Sequence, residues 1–476
     1  DDLVTGVQTC ALPIYPNVLD WLNRSVTGGD AYESGLLFHG PLIKQKLHIG
    51  KVYELYFKVK DSELNYHPDW PAVSELNADV YVGNWGVSSE GASGSIYESQ
   101  ISNGLVVIPI IFGQKADTVN IDAELSGPLA DGVRLLNETP LAGYTKNMAD
   151  GWLAGGEMQG RALLGIPIGP EARDRKPAAE VSITLEGNDI FMPRYDLSIN
   201  NIHTELHYST ARGLAADPVR ADLFNRDVMG LIASQLEGEG GKVQVQVAGT
   251  VDAIDLYTWS KQPLLTQTRG IMTYQAVLDI PYGTSAASED IQIRAVSDLG
   301  GVEVALPAPM RKSAEEKGDF VYQHTFSNPY PQIDITYNQD VQASILLDAG
   351  LIHRGIVQFG REKKESLPQE GLRIGGRLEF VSYDQWQDVL QALDDTSEVS
   401  LVSEMVDNLK GIAVRIGQLD AFGLALEDVD VHSLLAVHIG GKQFFRARGN
   451  RAVSGNQHAH HPAHGFNSQG KRRDIQ

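Results

Sequence analysis

The sequence predicts a mainly β protein with a few helices, an α+β chain of antiparallel sheets with several domains and at least one β-sandwich-like unit. Apolar and polar residues alternate with a period of two in many short segments, which places the apolar side chains on one face of a strand. Glycine- and proline-containing turn signals separate these segments. With 476 residues, the chain is long enough for two to four domains that each bury a sizeable core.

The first 14 residues, DDLVTGVQTCALPI, resemble the translation of a sequencing adapter, and we expect a non-native scar there. Cys10, the only cysteine of the sequence, falls within this segment. The rest of the chain therefore lacks the residue needed for thiol catalysis, disulfides and thiolate metal sites. If the scar is not native, the true N-terminus and any signal peptide are missing from the sequence.

Residues 15–237 are expected to form an N-terminal β-rich domain that ends in a helix over residues 218–237. Asp217 is a good N-cap, Pro218 suits the first helical position, and the apolar residues that follow have helical spacing. The glycine- and serine-rich segment 83–94 predicts a flexible loop, and residues 127–170 an irregular connection. A short helix is predicted over residues 15–24. Strands are predicted over residues 36–47, 51–60, 79–83, 95–101, 105–112, 118–125, 180–185, 189–192 and 198–208.

Residues 238–310 contain the clearest alternation in the chain. Valines at 243, 245 and 247 alternate with polar residues, and the segments IQIRAVS and VEVAL do the same on either side of Asp298–Gly301. This tetrapeptide, DLGG, is a hairpin signal, because glycine adopts positive φ without steric cost. Several short strands with turns between them predict a β-sandwich in this part of the chain.

Within this segment, IQIRAVSDLGG and VEVALPAP resemble the last two strands of bacterial immunoglobulin-like or fibronectin-like modules. YQAVLDIPYGT resembles the strand and turn before them, and Trp259 would occupy the strand-C position. The resemblance covers residues 241–309. It implies a spacer or adhesive module of a surface or virion protein, with no catalytic residue.

After a charged linker at residues 310–318, we expect a C-terminal β-rich domain over residues 319–448. It contains one predicted helix at 383–393, which Ser382 and Gln385 begin as a capping box. The tail 449–476 is basic, rich in histidine and low in aliphatic residues, and is expected to be disordered or spurious.

The charge of the chain excludes some partners. A formal charge of −22 and a pI near 5.0 argue against nucleic acid and against an anionic membrane surface, since both require a basic face. The most apolar run, GLVVIPIIF at 104–112, is far shorter than the roughly 20 residues of a membrane span. The expected partner is a protein or glycan surface, or further copies of the same chain.

Two groups of residues are candidate sites. His203, Glu205 and His207 point to the same side of a predicted strand, where two imidazoles and a carboxylate can bind a divalent metal. The alternative is that they form the solvated face of that strand. Trp70, Trp85 and Trp152 lie in predicted loops and can stack on a ligand, or else close the end of a sandwich.

The favoured hypothesis is a non-enzymatic structural or binding protein without a cofactor, extracytoplasmic or in a virion, of the adhesin, coat or tail type. The absence of any assembled catalytic motif and the density of strands favour this class. The alternative is a metal-dependent or carbohydrate-active enzyme that uses the His/Glu/His strand face. Acid pairs in such enzymes are usually distant in sequence, so one chain does not exclude them.

Overall fold

The computed structural model describes residues 24–40, 52–110, 116–145, 147–168, 172, 175–238, 240–285, 288–338, 340–360, 366–396, 408–434, 444–452, 465–467 and 472–473. Over these residues the chain is mainly β, with four α-helices, which confirms the predicted fold class. The chain divides into two compact units. Unit 1 comprises Asp1–Ala221, Leu231–Val243 and Tyr282–Ala287; unit 2 comprises Asp222–Gly230, Gln244–Pro281 and Ser288–Gln476.

Unit 1 contains an antiparallel meander. Strands β2 to β7 pair in chain order, β7 then pairs with β9, and β9, β10 and β11 continue the sheet. Strand β1 pairs with β3, and β8 pairs with β10. The strands are β1 (Val26–Thr27), β2 (Asp30–His39), β3 (Val52–Leu64), β4 (Val73–Gly83), β5 (Gly86–Ile96), β6 (Ser99–Pro109), β7 (Thr118–Pro128), β8 (Leu153–Gly155), β9 (Glu157–Pro167), β10 (Ala178–Met192) and β11 (Leu197–Ser209).

Two short helices are inserted between β7 and β8. Helix α1 spans Leu129–Glu138 and helix α2 spans Leu141–Tyr144. Asp131 in α1 is buried, and its carboxylate accepts hydrogen bonds from the Glu98 backbone N–H (2.9 Å) and the Ser99 hydroxyl (2.7 Å). This carboxylate therefore holds α1 against the turn between β5 and β6.

Most strands of unit 1 contain a β-bulge, which adds one residue to one strand of a pair. In β6 the register shifts between Ser102 and Leu105, so that Ile101 pairs with Leu125 whereas Val106 pairs with Ile121. The extra residue lets Ile101 and Val106 share one face although one number is odd and the other even. The residues with positive φ at the bulges are Glu33, Asp61, Glu75, Gly91, Asn103, Gly187 and Asn201.

The remaining strands are β12 (Gly213–Leu223), β13 (Arg226–Glu237), β14 (Gly240–Asp252), β15 (Thr268–Gly283), β16 (Gln292–Ser297), β17 (Val302–Val304), β18 (Phe320–Thr325), β19 (Gln332–Tyr337), β20 (Val341–Asp348), β21 (Leu351–Phe359), β22 (Gly371–Ser382), β23 (Leu409–Ala421), β24 (Leu424–Leu434), β25 (Phe444–Ala452), β26 (Gly465–Asn467) and β27 (Arg472–Arg473). Helix α3 spans Ala253–Ser260, and helix α4 spans Tyr383–Thr396. Short 3₁₀ turns lie at Pro193–Tyr195 and Pro263–Gln267.

In unit 2 the strands pair in the order β15, β16, β18, β19, β20, β21, β22, β23, β24 and β25. All these pairs are antiparallel except β21 with β22 and β22 with β23, which are parallel. Helix α4 is the crossover between the parallel strands β22 and β23, a connection that such a pair requires. The helix predicted at 383–393 is therefore present at Tyr383–Thr396.

Among the described residues of unit 2, two buried apolar clusters are found. Val251, Met272, Leu299 and Val302 form one, with Tyr274 among the half-buried side chains packed against it. The second consists of Val414, Ile416 and Val429 on the paired strands β23 and β24.

Four sequence-based predictions are wrong. The helix over 218–237 is replaced by β12 and β13, which Phe224 and Asn225 separate with φ of 52° and 58°, as in a type I′ turn. The loop over 83–94 is largely strand β5, whose small residues pair with β4 and β6. The connection over 127–170 contains α1, α2, β8 and β9. Trp259 lies in helix α3 and not in a strand.

Other predictions about segments stay predictions. Strand β16 pairs on its second side with β18, beyond the limit of 310 expected for an immunoglobulin-like sandwich over residues 238–310. The domain limits at 15–237, 238–310 and 319–448 are not tested. The scar at 1–14 and nearly all of the helix predicted at 15–24 lie outside the described residues, as does most of the tail 449–476.

Candidate functional site

One face of the unit 1 sheet is apolar across all nine strands of the meander. Residues paired across antiparallel strands lie on the same face, so the register identifies its members. One row runs Leu36, Leu55, Val82, Val87 and Ile108 from β2 to β6. A second row runs Val106, Ile121, Leu164 and Ala179 from β6 to β10, and a third runs Ala123, Ala162, Val181 and Tyr208 from β7 to β11. We call this surface the apolar face of unit 1.

Most large side chains on the apolar face of unit 1 are half-buried. Val82, Val106, Ile121, Leu164 and Val181 all fall in this class, whereas a covered core would bury them almost completely. Helix α1, with ten residues, is about 15 Å long. Nine strands spaced about 4.8 Å apart extend over roughly 38 Å, so α1 and the shorter α2 cover only part of this face. Within the described residues, the face therefore remains partly accessible.

The opposite face of the same sheet carries charged and polar rows, although the apolar side chains of Leu105, Val107 and Leu163 also lie on it. One row in register consists of Glu124, Arg161, Ser182 and His207. Arg161 donates two hydrogen bonds to the Asp122 carboxylate, at 2.8 and 2.6 Å, and this contact lowers the pKa of Asp122 below its ordinary value. The sheet is thus amphipathic, with water as the natural environment of one face and hydrocarbon as that of the other.

The unit 2 sheet also has an apolar row in register. It runs Leu278, Ile293, His324, Ile333, Ile345 and Gly355 from β15 to β21. Its polar member, His324, lies 3.3 Å through Nδ1 from the Tyr322 hydroxyl and stacks on Phe326 with ring centroids 4.1 Å apart. Burial lowers the pKa of His324, so its neutral form fits this apolar setting.

A cleft of about 560 Å³ lies in unit 1 where strand ends meet helix α1; we call it the end cleft. Its walls are Pro68, Asp69, Trp70, Pro71, Tyr97, Glu138, Thr139 and Pro140. The Tyr97 hydroxyl donates to Glu138 Oε2 at 3.2 Å, and Arg134 Nε donates to Oε1 at 2.9 Å. The Arg134 guanidinium lies 3.9 Å from the centroid of the Tyr97 ring. Its hydrogen bond lowers the pKa of Glu138, which keeps this carboxylate ionised.

The predicted metal ligands lie on the charged face. His203, Glu205 and His207 alternate along β11 opposite Glu186, Thr184 and Ser182. His207 Nε2 is 3.5 Å from Glu205 Oε1, and both side chains are more than half exposed, whereas His203 Nε2 contacts Asn201 Oδ1 at 2.9 Å. Among the described residues, no three His, Cys, Asp or Glu side chains are grouped closely enough to hold a metal ion. Metal binding at these three residues stays a prediction.

The three predicted tryptophans do not form one site. Trp70 lines the end cleft before β4 begins, whereas Trp85 follows the far end of β4 and is 45% exposed. Trp152 lies just before β8. Sequence reasoning missed the partners of Trp70 in the end cleft, Tyr97 and Glu138. The alternation of apolar and polar residues was visible in the sequence, but the sequence of a single strand does not show whether its apolar side is covered in the fold.

Comparisons with known proteins assign a family. The model of a family described as YhdP protein matches residues 12–438. A second model, described as NAD-specific glutamate dehydrogenase, matches residues 412–476 only. A relative from Escherichia coli (strain K12), the intermembrane phospholipid transporter YhdP, is 23% identical over 312 residues. The match covers 63% of this chain and 23% of the relative, so the chain spans about a quarter of that protein's length. No solved structure matches.

These matches overturn the predicted function. The family match and the relative, which is named a phospholipid transporter, contradict the prediction of an immunoglobulin-like structural protein of a virion or cell surface. They also contradict the alternative prediction of a metal-dependent or carbohydrate-active enzyme. They equally contradict a protein or glycan surface as the partner. Among the described residues, no helix is both long and apolar enough to cross a membrane. Because the model of the YhdP protein family matches residues 12–438, which is most of the chain, the chain belongs to the YhdP family.

Proposed function

We propose that this chain is a lipid-binding segment of an intermembrane phospholipid transport protein, and that the apolar face of unit 1 holds the acyl chains. The observation that carries the proposal is the half-buried apolar surface that continues over nine strands opposite a charged surface. Large accessible apolar surfaces mark sites of lipid or protein binding. The relative's name, which refers to phospholipid transport, favours lipid.

The dimensions of the face suit an acyl chain. Strands β4 to β7 each have 11 residues, which corresponds to roughly 35 Å along the strand. Half of a bilayer's hydrocarbon core is about 15 Å thick, so an extended acyl chain can lie fully on this surface. Each CH₂ group moved from water to such a surface contributes about 0.8 kcal/mol, so a long chain needs no specific polar contact to be retained.

The charged face supports the same proposal. It keeps the loaded segment in water, and the formal charge of −22 disfavours spreading on an anionic membrane surface. A segment of this kind suits an aqueous space between two membranes, in line with the predicted extracytoplasmic location.

A pair of neighbouring substitutions tests the proposal. Ile121→Asp places a carboxylate on the apolar face of unit 1, whereas Asn120→Asp places one on the opposite face of the same strand. The purified chain is incubated with phospholipid vesicles and reisolated, and retained phospholipid is measured by mass spectrometry. We expect Ile121→Asp to lose most of the lipid and Asn120→Asp to retain it.

The second pair, Val181→Asp and Ser182→Asp, repeats the comparison on β10. Circular dichroism and thermal melts of all four variants separate loss of lipid from loss of fold. The proposal is refuted if folded variants with the new carboxylate on the apolar face retain as much phospholipid as those with it on the opposite face. It is also refuted if the unsubstituted chain retains no phospholipid.

A further inference from the structure

We propose that the end cleft of unit 1 binds the primary ammonium group of a zwitterionic phospholipid headgroup, as in phosphatidylethanolamine. This inference rests on the proposed function, because the acyl chains of the same lipid would lie on the apolar face of unit 1. It adds a headgroup subsite and a substrate preference to that function.

The chemistry of the end cleft suits a small cation. Its walls supply two aromatic rings, those of Trp70 and Tyr97, and two carboxylates, those of Asp69 and Glu138. Aromatic faces attract ammonium groups through their quadrupole, and carboxylates accept the ammonium hydrogens. The Asp69 side chain is 67% exposed, and its Oδ2 lies 3.8 Å from His67 Nδ1, so its oxygens remain accessible to a ligand.

Arg134 already places one cation beside this cleft. Its guanidinium lies over the Tyr97 ring and donates to Glu138, so one cation–π contact and one charged hydrogen bond are already formed beside the cleft. The same guanidinium is a suitable partner for the phosphate of a zwitterionic headgroup. With two carboxylates and one guanidinium, an anionic headgroup without an ammonium group would meet net repulsion.

Tyr97 has an uncommon backbone conformation. Tyr97 and Glu98 form the two-residue turn between Ile96 and Ser99, and Tyr97 has a φ of +56°. Glycine or asparagine usually occupies such a position, because a bulky side chain is strained there. The strain falls on a residue that lines the end cleft, although Phe224 and Phe422 have a similar φ in other turns of the chain.

The position of the end cleft fits the rest of the lipid. Its residues belong to the connections that follow β3, β5 and α1, at the same end of the sheet. Met158 pairs with Leu185 on the apolar face of unit 1, and its sulfur lies beside Gly132 in α1. The helix that carries Arg134 and Glu138 therefore packs at the border of that face. A headgroup in the end cleft leaves the acyl chains directed along the strands.

The test uses vesicles that contain equal amounts of phosphatidylethanolamine and phosphatidylglycerol with identical acyl chains. The full chain is incubated with them and reisolated, and the ratio of the two retained lipids is measured by mass spectrometry. We expect phosphatidylethanolamine to be enriched severalfold on the unsubstituted chain. Tyr97→Asn removes the ring at a position that asparagine tolerates, and we expect it to lower this enrichment about threefold.

Tyr195→Asn is the matched control. Tyr195 also lies near an arginine, with Arg194 5.8 Å from its ring centroid, but is outside the end cleft. The Tyr195→Asn substitution should leave the ratio of the two retained lipids unchanged. An equal ratio on the unsubstituted chain, or one that Tyr97→Asn does not alter, overturns the headgroup subsite while lipid binding stands. Failure to retain either lipid overturns the proposed function and this inference together.

Discussion

Replacement of Asn188 by alanine should destabilise unit 1 far more than replacement of the exposed Asn120. Asn188 is completely buried in β10, beside the bulge at Gly187. Its Oδ1 accepts the backbone N–H of Glu186 at 2.9 Å, and its Nδ2 donates to the carbonyls of Glu157 at 2.9 Å and Gly155 at 3.3 Å. One side chain thus joins the bulge of β10 to the backbone on either side of Gly156.

The magnitude follows from these three bonds. Each contributes about 1 kcal/mol net, and buried groups that lose a partner cost more than the lost bond alone. We therefore expect Asn188→Ala to lower the free energy of unfolding by about 3 kcal/mol. Asn188→Asp keeps the acceptor but directs a carboxylate at two carbonyl oxygens. Its buried carboxyl should have a raised pKa, so its stability is present at acidic pH and lost as the pH rises to neutral.

Urea unfolding followed by circular dichroism measures the effect, with the m-value compared between variants to verify the same transition. Asn120→Ala, at an exposed position of the same unit, should change the free energy by less than about 0.5 kcal/mol. A loss below about 1 kcal/mol for Asn188→Ala would show that the side chain does not hold the bulge, and would refute the reasoning.

Two further predictions concern unit 2. Burial raises the pKa of Tyr274 to about 12, and its hydroxyl has no hydrogen-bond partner within the described residues; Tyr274→Phe should add about 1 kcal/mol of stability near neutral pH. Because an unfolded tyrosine titrates near 10, the wild type should lose stability between pH 10 and 12. The Tyr274→Phe variant should lose less stability over that range, and thermal melts measured from pH 10 to 12 check this. Gly376 has a φ of +106°, and a Cβ there would overlap the Phe359 carbonyl oxygen. Gly376→Ala should therefore cost at least about 2 kcal/mol in urea unfolding, whereas Gly28→Ala, with open space around it, should cost about 1 kcal/mol or less.

The strands of unit 1 were largely predictable where alternation was uninterrupted. The segment 118–125 has no bulge in its pairing with β9 and corresponds closely to β7. Around residues 218–237, apolar residues fell at helical spacing by chance, and the start signal at Asp217 strengthened the error. The chain instead forms two strands with a turn at Phe224 and Asn225, and of these two residues only asparagine commonly adopts a positive φ.

The candidate site was less predictable, for a physical reason. Alternation in β7 shows that Ile121 and Asp122 face opposite ways, but a sheet covered by helices gives the same pattern as one left open. Coverage depends on what lies above the face, and the α-helices α1 and α2 inserted in the meander were missed. Helix α1 begins after Pro128 with no side-chain cap, so its usual sequence signal was lacking.

The bulges of unit 1 set a rule for how this sheet tolerates changes in length. Deleting Asn103 from β6 would remove the bulge and leave Ile101 and Val106 four positions apart, so both would stay on the same face. Deleting Val107 instead would make Val106 and Ile108 successive residues, which face opposite sides of a regular strand. One of them would then stand among the carboxylates and guanidinium groups, although no residue had been exchanged. Single-residue deletions within the regular stretches of a strand should therefore be purged by selection, while deletions of the extra residue of a bulge should survive.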